Sequence, residues 1–107
     1  MADAIEVNLM FPCADNDGAP FEEDVWEWQK DHLRVLFREG YTEHGTVRGW
    51  WQGYSDENVW YRVIIDGDFD LIAVREFLRE ACRRYCQEAM FLEYHPVSFE
   101  LIREEGA

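Results

Sequence analysis

The sequence predicts an α+β sandwich of order β-α-β-β-α-β, with two helices on one face of an antiparallel sheet and one extra strand at the C-terminus. Three observations predict it. The apolar period switches from two to near 3.6 and back, twice along the chain. A cluster of turn formers separates two β-branched and aromatic runs in the middle. At 107 residues the chain fits one domain, residues 1–107, with aromatic side chains enough for one core.

Residues 5–11 open the chain, where Ile5, Val7, Leu9 and Phe11 alternate with more polar neighbours as in a half-buried strand. Pro12 ends it, and residues 13–20, with Asp15, Asn16, Asp17 and Gly18, form a turn-rich loop. Its acids do not follow calcium-loop spacing. Residues 21–39 take the helical period, with Phe21, Val25, Trp28, Val35 and Leu36 as the stripe and Trp26, Leu33 and Phe37 widening it. Glu22, Glu23, Asp24 and Glu27 lie near its start and Arg34 and Arg38 near its end, which complements the helix dipole; Gly40 is the stop. His32 falls on the stripe and reads as a hydrogen-bonded histidine at the edge of the core.

Two strands follow, residues 41–52 and 59–65, joined by a turn over residues 53–58. Asp68 or Asp70 caps a second helix over residues 69–86, with Leu71, Val74, Leu78, Ala81, Cys82 and Tyr85 as its buried stripe. Cys82 and Cys86 share a face and read as small buried hydrophobes. Residues 89–94 and 97–103 read as strands joined at His95-Pro96, and the last four residues as a frayed tail. This is the ferredoxin-like split βαβ order.

Alternation then assigns the open face of the sheet. Glu6, Asn8 and Met10 project there from the first strand, Arg48, Trp50 and Gln52 from the second, and Trp60, Arg62 and Ile64 from the third. Trp50, Trp60 and Met10 beside Arg48, Arg62 and Glu6 have the composition of an interface, either with a partner protein or as a homodimer seam.

The chain carries a formal net charge of −13, which disfavours direct binding to nucleic acid or anionic membranes. Taken as a sphere about 34 Å across, it has a charge per unit length approaching that of duplex DNA. Glu22, Glu23, Asp24, Glu27 and Asp31 form the candidate acidic face toward a basic partner. No catalytic residue, metal site or cofactor motif is assigned: Ser55 and Ser98 lie outside a nucleophile motif, Gly45, Gly49 and Gly53 outside a phosphate loop, and the histidines are scattered. The start lacks the basic, apolar pattern of a secretion signal, so the expected location is cytoplasmic.

Several segments carry a resemblance: the first strand with its loop, residues 21–39, residues 45–54 with Gly49-Trp50-Trp51, residues 59–65, and Cys86-Gln87-Glu88-Ala89. Together they resemble short, uncharacterised bacterial proteins of ferredoxin-like topology. That resemblance implies the fold and no activity. Many of those proteins are secreted, and this chain departs from them in lacking a signal. In size and acidity the chain also resembles phage and mobile-element inhibitors such as anti-CRISPR proteins. The expected function is therefore a non-enzymatic protein-binding module, an acidic inhibitor that occupies a basic nucleic-acid-binding surface. The alternative is a small homodimeric ferredoxin-like enzyme or ligand-binding protein that uses the open sheet face and His32 or His44.

Overall fold

The structure, a computed structural model, describes residues 4–51, 54–69 and 71–104. Its elements run β1 (Ala4–Pro12), α1 (Glu23–Leu36), β2 (Thr42–Trp51), β3 (Tyr54–Asp66), α2 (Leu71–Arg84) and β4 (Phe91–Val97). The strands form one antiparallel sheet in the order β2-β3-β1-β4, so β3 lies between β2 and β1, as the split βαβ order requires.

β1 is an inner strand, paired with β3 on one side and β4 on the other. Val7, Leu9 and Phe11 are buried against Leu33 and Phe37 of α1 and its C-terminal turn. Val74, Phe77, Leu78 and Ala81 of α2, with Tyr85, complete the core on the same face of the sheet. Phe11 is the hub: its ring lies 5.8 Å from Tyr61, 5.7 Å from Phe77 and 5.8 Å from Tyr85. Burying a ring of this size removes about 150–250 Å² from water.

The core stripe of α1 differs from the expected one. Its centre runs through Gln29, Leu33 and Phe37, while Val35 points to solvent. A glutamine can sit there because its amide is fully partnered. Gln29 Nε2 donates to the Tyr61 hydroxyl at 2.8 Å, and the Tyr85 hydroxyl donates to Gln29 Oε1. An apolar-only reading of the helix misses a polar residue satisfied from both neighbours. Desolvation pushes both tyrosine hydroxyls well above their ordinary value, most of all through loss of water and, for Tyr61, also through nearby Glu43. The helix ends at Leu36, before Gly40, which takes a left-handed φ of 121° after the closing turn.

Four other expectations need correction. β3 begins at Tyr54, inside the expected turn, so the connection lies at residues 52–53, outside the described residues, together with the expected outward position of Gln52 and the cap at Asp70. The strand extends because β2 and β3 keep pairing past the end of β1, down to Trp51 opposite Tyr54. The C-terminal segment is also simpler. β4 runs straight through His95-Pro96, and no strand follows it among the described residues. Proline is tolerated there because β4 is an edge strand. Cys82 is half-buried and Cys86 exposed, the latter holding φ 52° just past α2, so the pair is not a buried one.

The overhanging β2-β3 arm makes the molecule 52 × 26 × 23 Å with a radius of gyration of 15.5 Å. Duplex DNA 52 Å long carries about 30 phosphate charges, so the protein's formal −13 falls well short of it per unit length. Among the described residues no helix is long and apolar enough to cross a membrane.

Candidate functional site

Strand register builds the open face as three rows. Ile64, Glu6 and His95 form the first; Arg62, Asn8 and Glu93 the second; Trp60, Met10 and Phe91 the third. Residues directly opposite in an antiparallel pair share a face, so each row is one line of neighbouring side chains.

Asn8 is the centre of the face and is buried although polar. Its amide nitrogen donates to Glu6 Oε2 at 3.0 Å and to Glu93 Oε1 at 3.2 Å, and its carbonyl oxygen accepts from Trp60 Nε1 at 2.8 Å. Both amide protons and the carbonyl are thus engaged, which fixes its orientation. Glu6 Oε1 accepts from Arg62 Nε at 2.6 Å, and Glu6 Oε2 lies 3.3 Å from His95 Nε2. The hydrogen bonds from Asn8 and then from Arg62 hold the Glu6 carboxyl below its ordinary value, against partial burial acting the other way. The face therefore presents a fixed carboxylate (Glu6), an exposed carboxylate (Glu93), a guanidinium and an imidazole. Two aromatic rings lie one row away, because Phe91 joins Trp60 there.

The edge strand β2 adds one further ring. A register shift between Glu43 and Thr46 inserts an extra residue, and Gly45 accepts φ 81° there, a conformation that costs other residues dearly. His44 stacks on Trp60, with centroids 4.1 Å apart and planes 21° from parallel.

The bulge also corrects the predicted patch. Thr46 pairs with Val59, so Arg48 and Trp50 fall on the helix-side parity and not on the open face. Arg48 pairs across with Glu57 and Ser55 on the overhanging arm. Trp50, opposite Ser55, lies five residues along β3 from Trp60, about 17 Å. Trp60, Arg62, Met10 and Glu6 are brought together; Trp50 and Arg48 are not among them. The sequence reading missed His95 because it broke β4 at the proline, missed Glu93 because it assigned no face to the strand over residues 89–94, and placed His44 without its partner because strand register was not assigned.

The candidate acidic residues Glu22, Glu23, Asp24, Glu27 and Asp31 are all exposed near or within α1, and Asp31 pairs with Arg34. His32 is exposed on the helix side, its Nδ1 3.0 Å from the Trp28 carbonyl and its ring parallel to Phe77. It lines a groove of about 600 Å³ between the helices with Trp28 and Phe77, away from the open face.

Neither a protein-family model nor a curated protein sequence matches the chain. Among solved structures it is similar to a phage SAM lyase in complex with S-methyl-5'-thioadenosine. The TM-score is 0.53 at 11% identity, over 96% of this chain and 95% of that one. At that identity the likeness concerns the fold. It nevertheless overturns the expectation of a non-enzymatic inhibitor. An enzyme of nearly the same length carries this whole fold, so a short acidic chain without a familiar catalytic motif gives no ground for excluding catalysis. The likeness offers nothing for the anti-CRISPR resemblance, which rested on composition.

Proposed function

We propose that this protein is a small ferredoxin-like enzyme whose open sheet face binds an adenosyl sulfonium substrate, the class named for its structural neighbour. The observation that carries the proposal is the Asn8-centred cluster, where two carboxylates, a guanidinium and an imidazole converge beside an aromatic ring. A sulfonium is a fixed cation. Glu93, exposed and held by Asn8, opposes its charge, while Glu6 stays ionised under Arg62 and Asn8. Arg62 engages Glu6 through one edge and offers its remaining donors to the substrate's carboxylate. His95, oriented by Glu6, is the group for proton transfer.

A second copy of the chain is the partner we propose for the β4 edge. Phe91 on the open-face side and Tyr94 on the helix side are exposed along this edge, and pairing there would continue the sheet into the second copy. Sedimentation at several concentrations checks this: a dimer weakened by Tyr94→Asp supports it, and a monomer at all concentrations contradicts it.

Incubation with S-adenosylmethionine, followed by chromatography for S-methyl-5'-thioadenosine, tests the activity. The wild-type protein should release the thioether, and Arg62→Ala and His95→Ala should each reduce the rate by at least about 100-fold. Absence of both turnover and binding by the wild-type protein would contradict the reading.

A further inference from the structure

On the open face, the side chain that lies parallel to Trp60 comes from the one place where the edge strand breaks register. Trp60 is not free to turn: its indole N–H is held by the buried Asn8 carbonyl at 2.8 Å, so the ring presents a fixed π surface. On that surface lies the His44 ring, at a separation and tilt that a stacked nucleobase also adopts.

The backbone around His44 divides the motion it can make. Glu43, one residue earlier, pairs with Tyr61 on the opposite face of the sheet, and Tyr61 is held in turn by Gln29. Gly45, one residue later, absorbs the bulge with φ 81°. The strand is anchored on one side and kinked on the other, so His44 leaves Trp60 by rotating its own side chain, with no movement of β2.

We propose that His44 is a single-ring cover over Trp60, and that the surface beneath it seats the planar base of an adenosyl ligand. The proposal rests on the open-face reading above and adds the base subsite and its gate. Distance along the strands supports it. The Trp60 row lies two residues, about 7 Å, from the row of Arg62, Asn8 and Glu93, and Glu93 lies two strands, about 10 Å, across the sheet from β3, so the ribose and its 5′ substituent together span the diagonal of about 12 Å from a base on Trp60 to Glu93. His44 occupies the base's place when the site is empty, which shields Trp60 from water and sets a competition that the ligand must win.

A cover and a binding contact differ in sign. Removing a contact weakens binding, whereas removing a cover strengthens it. Calorimetric titration with S-methyl-5'-thioadenosine should show His44→Ala binding about two- to tenfold more tightly than wild type, the factor an aromatic pair supplies when it no longer competes. The His44 ring protons, shielded by Trp60 in the free protein, should move downfield in the NMR spectrum as ligand is added. Equal or weaker binding by His44→Ala, or His44 signals that stay in place while Asn8 and Arg62 signals move, overturns the cover and leaves the open-face site standing. Failure of wild type and His44→Ala alike to bind overturns both. An unchanged melting temperature for His44→Ala, expected of an exposed edge residue, shows that any change in affinity is local.

Discussion

Replacing Asn8 by alanine and by aspartate separates the two things this residue does, which are satisfying Trp60 and holding two carboxylates. Alanine removes three hydrogen bonds at once. The bond from the Trp60 indole is neutral and contributes about 1 kcal/mol, and leaves a half-buried donor unpaired. The bond to Glu6 is charge-assisted and contributes about 2 kcal/mol, since only 16% of that side chain is open to water. The bond to exposed Glu93 is replaced by water and adds little. Asn8→Ala should therefore destabilise the fold by about 2–4 kcal/mol at neutral pH, or about 8–16 °C in melting temperature. Aspartate keeps an acceptor for Trp60 but sets a third carboxylate against Glu6 and Glu93, which should cost about 2 kcal/mol more than alanine. The pH dependence distinguishes them. Glu6 has a depressed folded pKa, so its contribution is present above the ordinary carboxylate value of 4.5 and is lost as pH falls through the folded value. In Asn8→Ala the largest cause of that depression is gone, so less stability is lost in acid and the gap to wild type narrows toward about pH 3. In Asn8→Asp the new carboxyl is raised and protonates early, so the variant approaches or passes alanine in acid. Urea denaturation at about pH 7 and about pH 3 measures both. A loss under about 1 kcal/mol for alanine at neutral pH, or gaps that do not change with pH, would refute the reasoning.

Gln29→Leu should cost about 2–5 kcal/mol by leaving the Tyr61 and Tyr85 hydroxyls unpaired in the core, read as a lower denaturation midpoint at unchanged m-value. Wild-type stability should fall as pH rises past the ordinary tyrosine value of 10.0, because the unfolded chain releases those protons and the folded one retains them; Tyr85→Phe should reduce that slope in an alkaline titration. Gly45→Ala should cost about 1–2 kcal/mol, since its φ of 81° is strained for any side chain although space is open around it; thermal melting checks this. Trp50→Ser on the overhanging arm should change the melting temperature of the isolated chain by no more than about 2 °C, as its ring is 73% exposed.

Most of the fold is legible in the sequence because period and punctuation act locally. Ile5 to Phe11 alternate, and Val74, Leu78 and Ala81 recur at helical spacing; these are the residues that meet in the core. What escapes is set by tertiary partners. Gln29 reads as polar surface until Tyr61 and Tyr85 supply its hydrogen bonds, and Val35 reads as core until the helix rotates to bury Gln29. Pro96 reads as a strand end until β4 proves to be an edge, where a missing N–H is harmless. The site was half legible. Glu6, Met10, Trp60 and Arg62 follow from alternation on two regular strands, whereas one extra residue between Glu43 and Thr46 reverses Arg48 and Trp50 beyond it, while His44 keeps the register that sets it on Trp60. Alternation has no memory of a bulge, so every assignment beyond it inverts.

We place a small adenosyl ligand on the open face of the sheet and not in the groove between the helices. Mapping amide and side-chain NMR shifts on titration with S-methyl-5'-thioadenosine tests it most directly. Saturable changes are expected at Asn8, Trp60, Arg62, Glu93 and His95, with Trp28, His32 and Phe77 unmoved. Changes confined to Trp28, His32 and Phe77, or none at any residue at millimolar ligand, would contradict it.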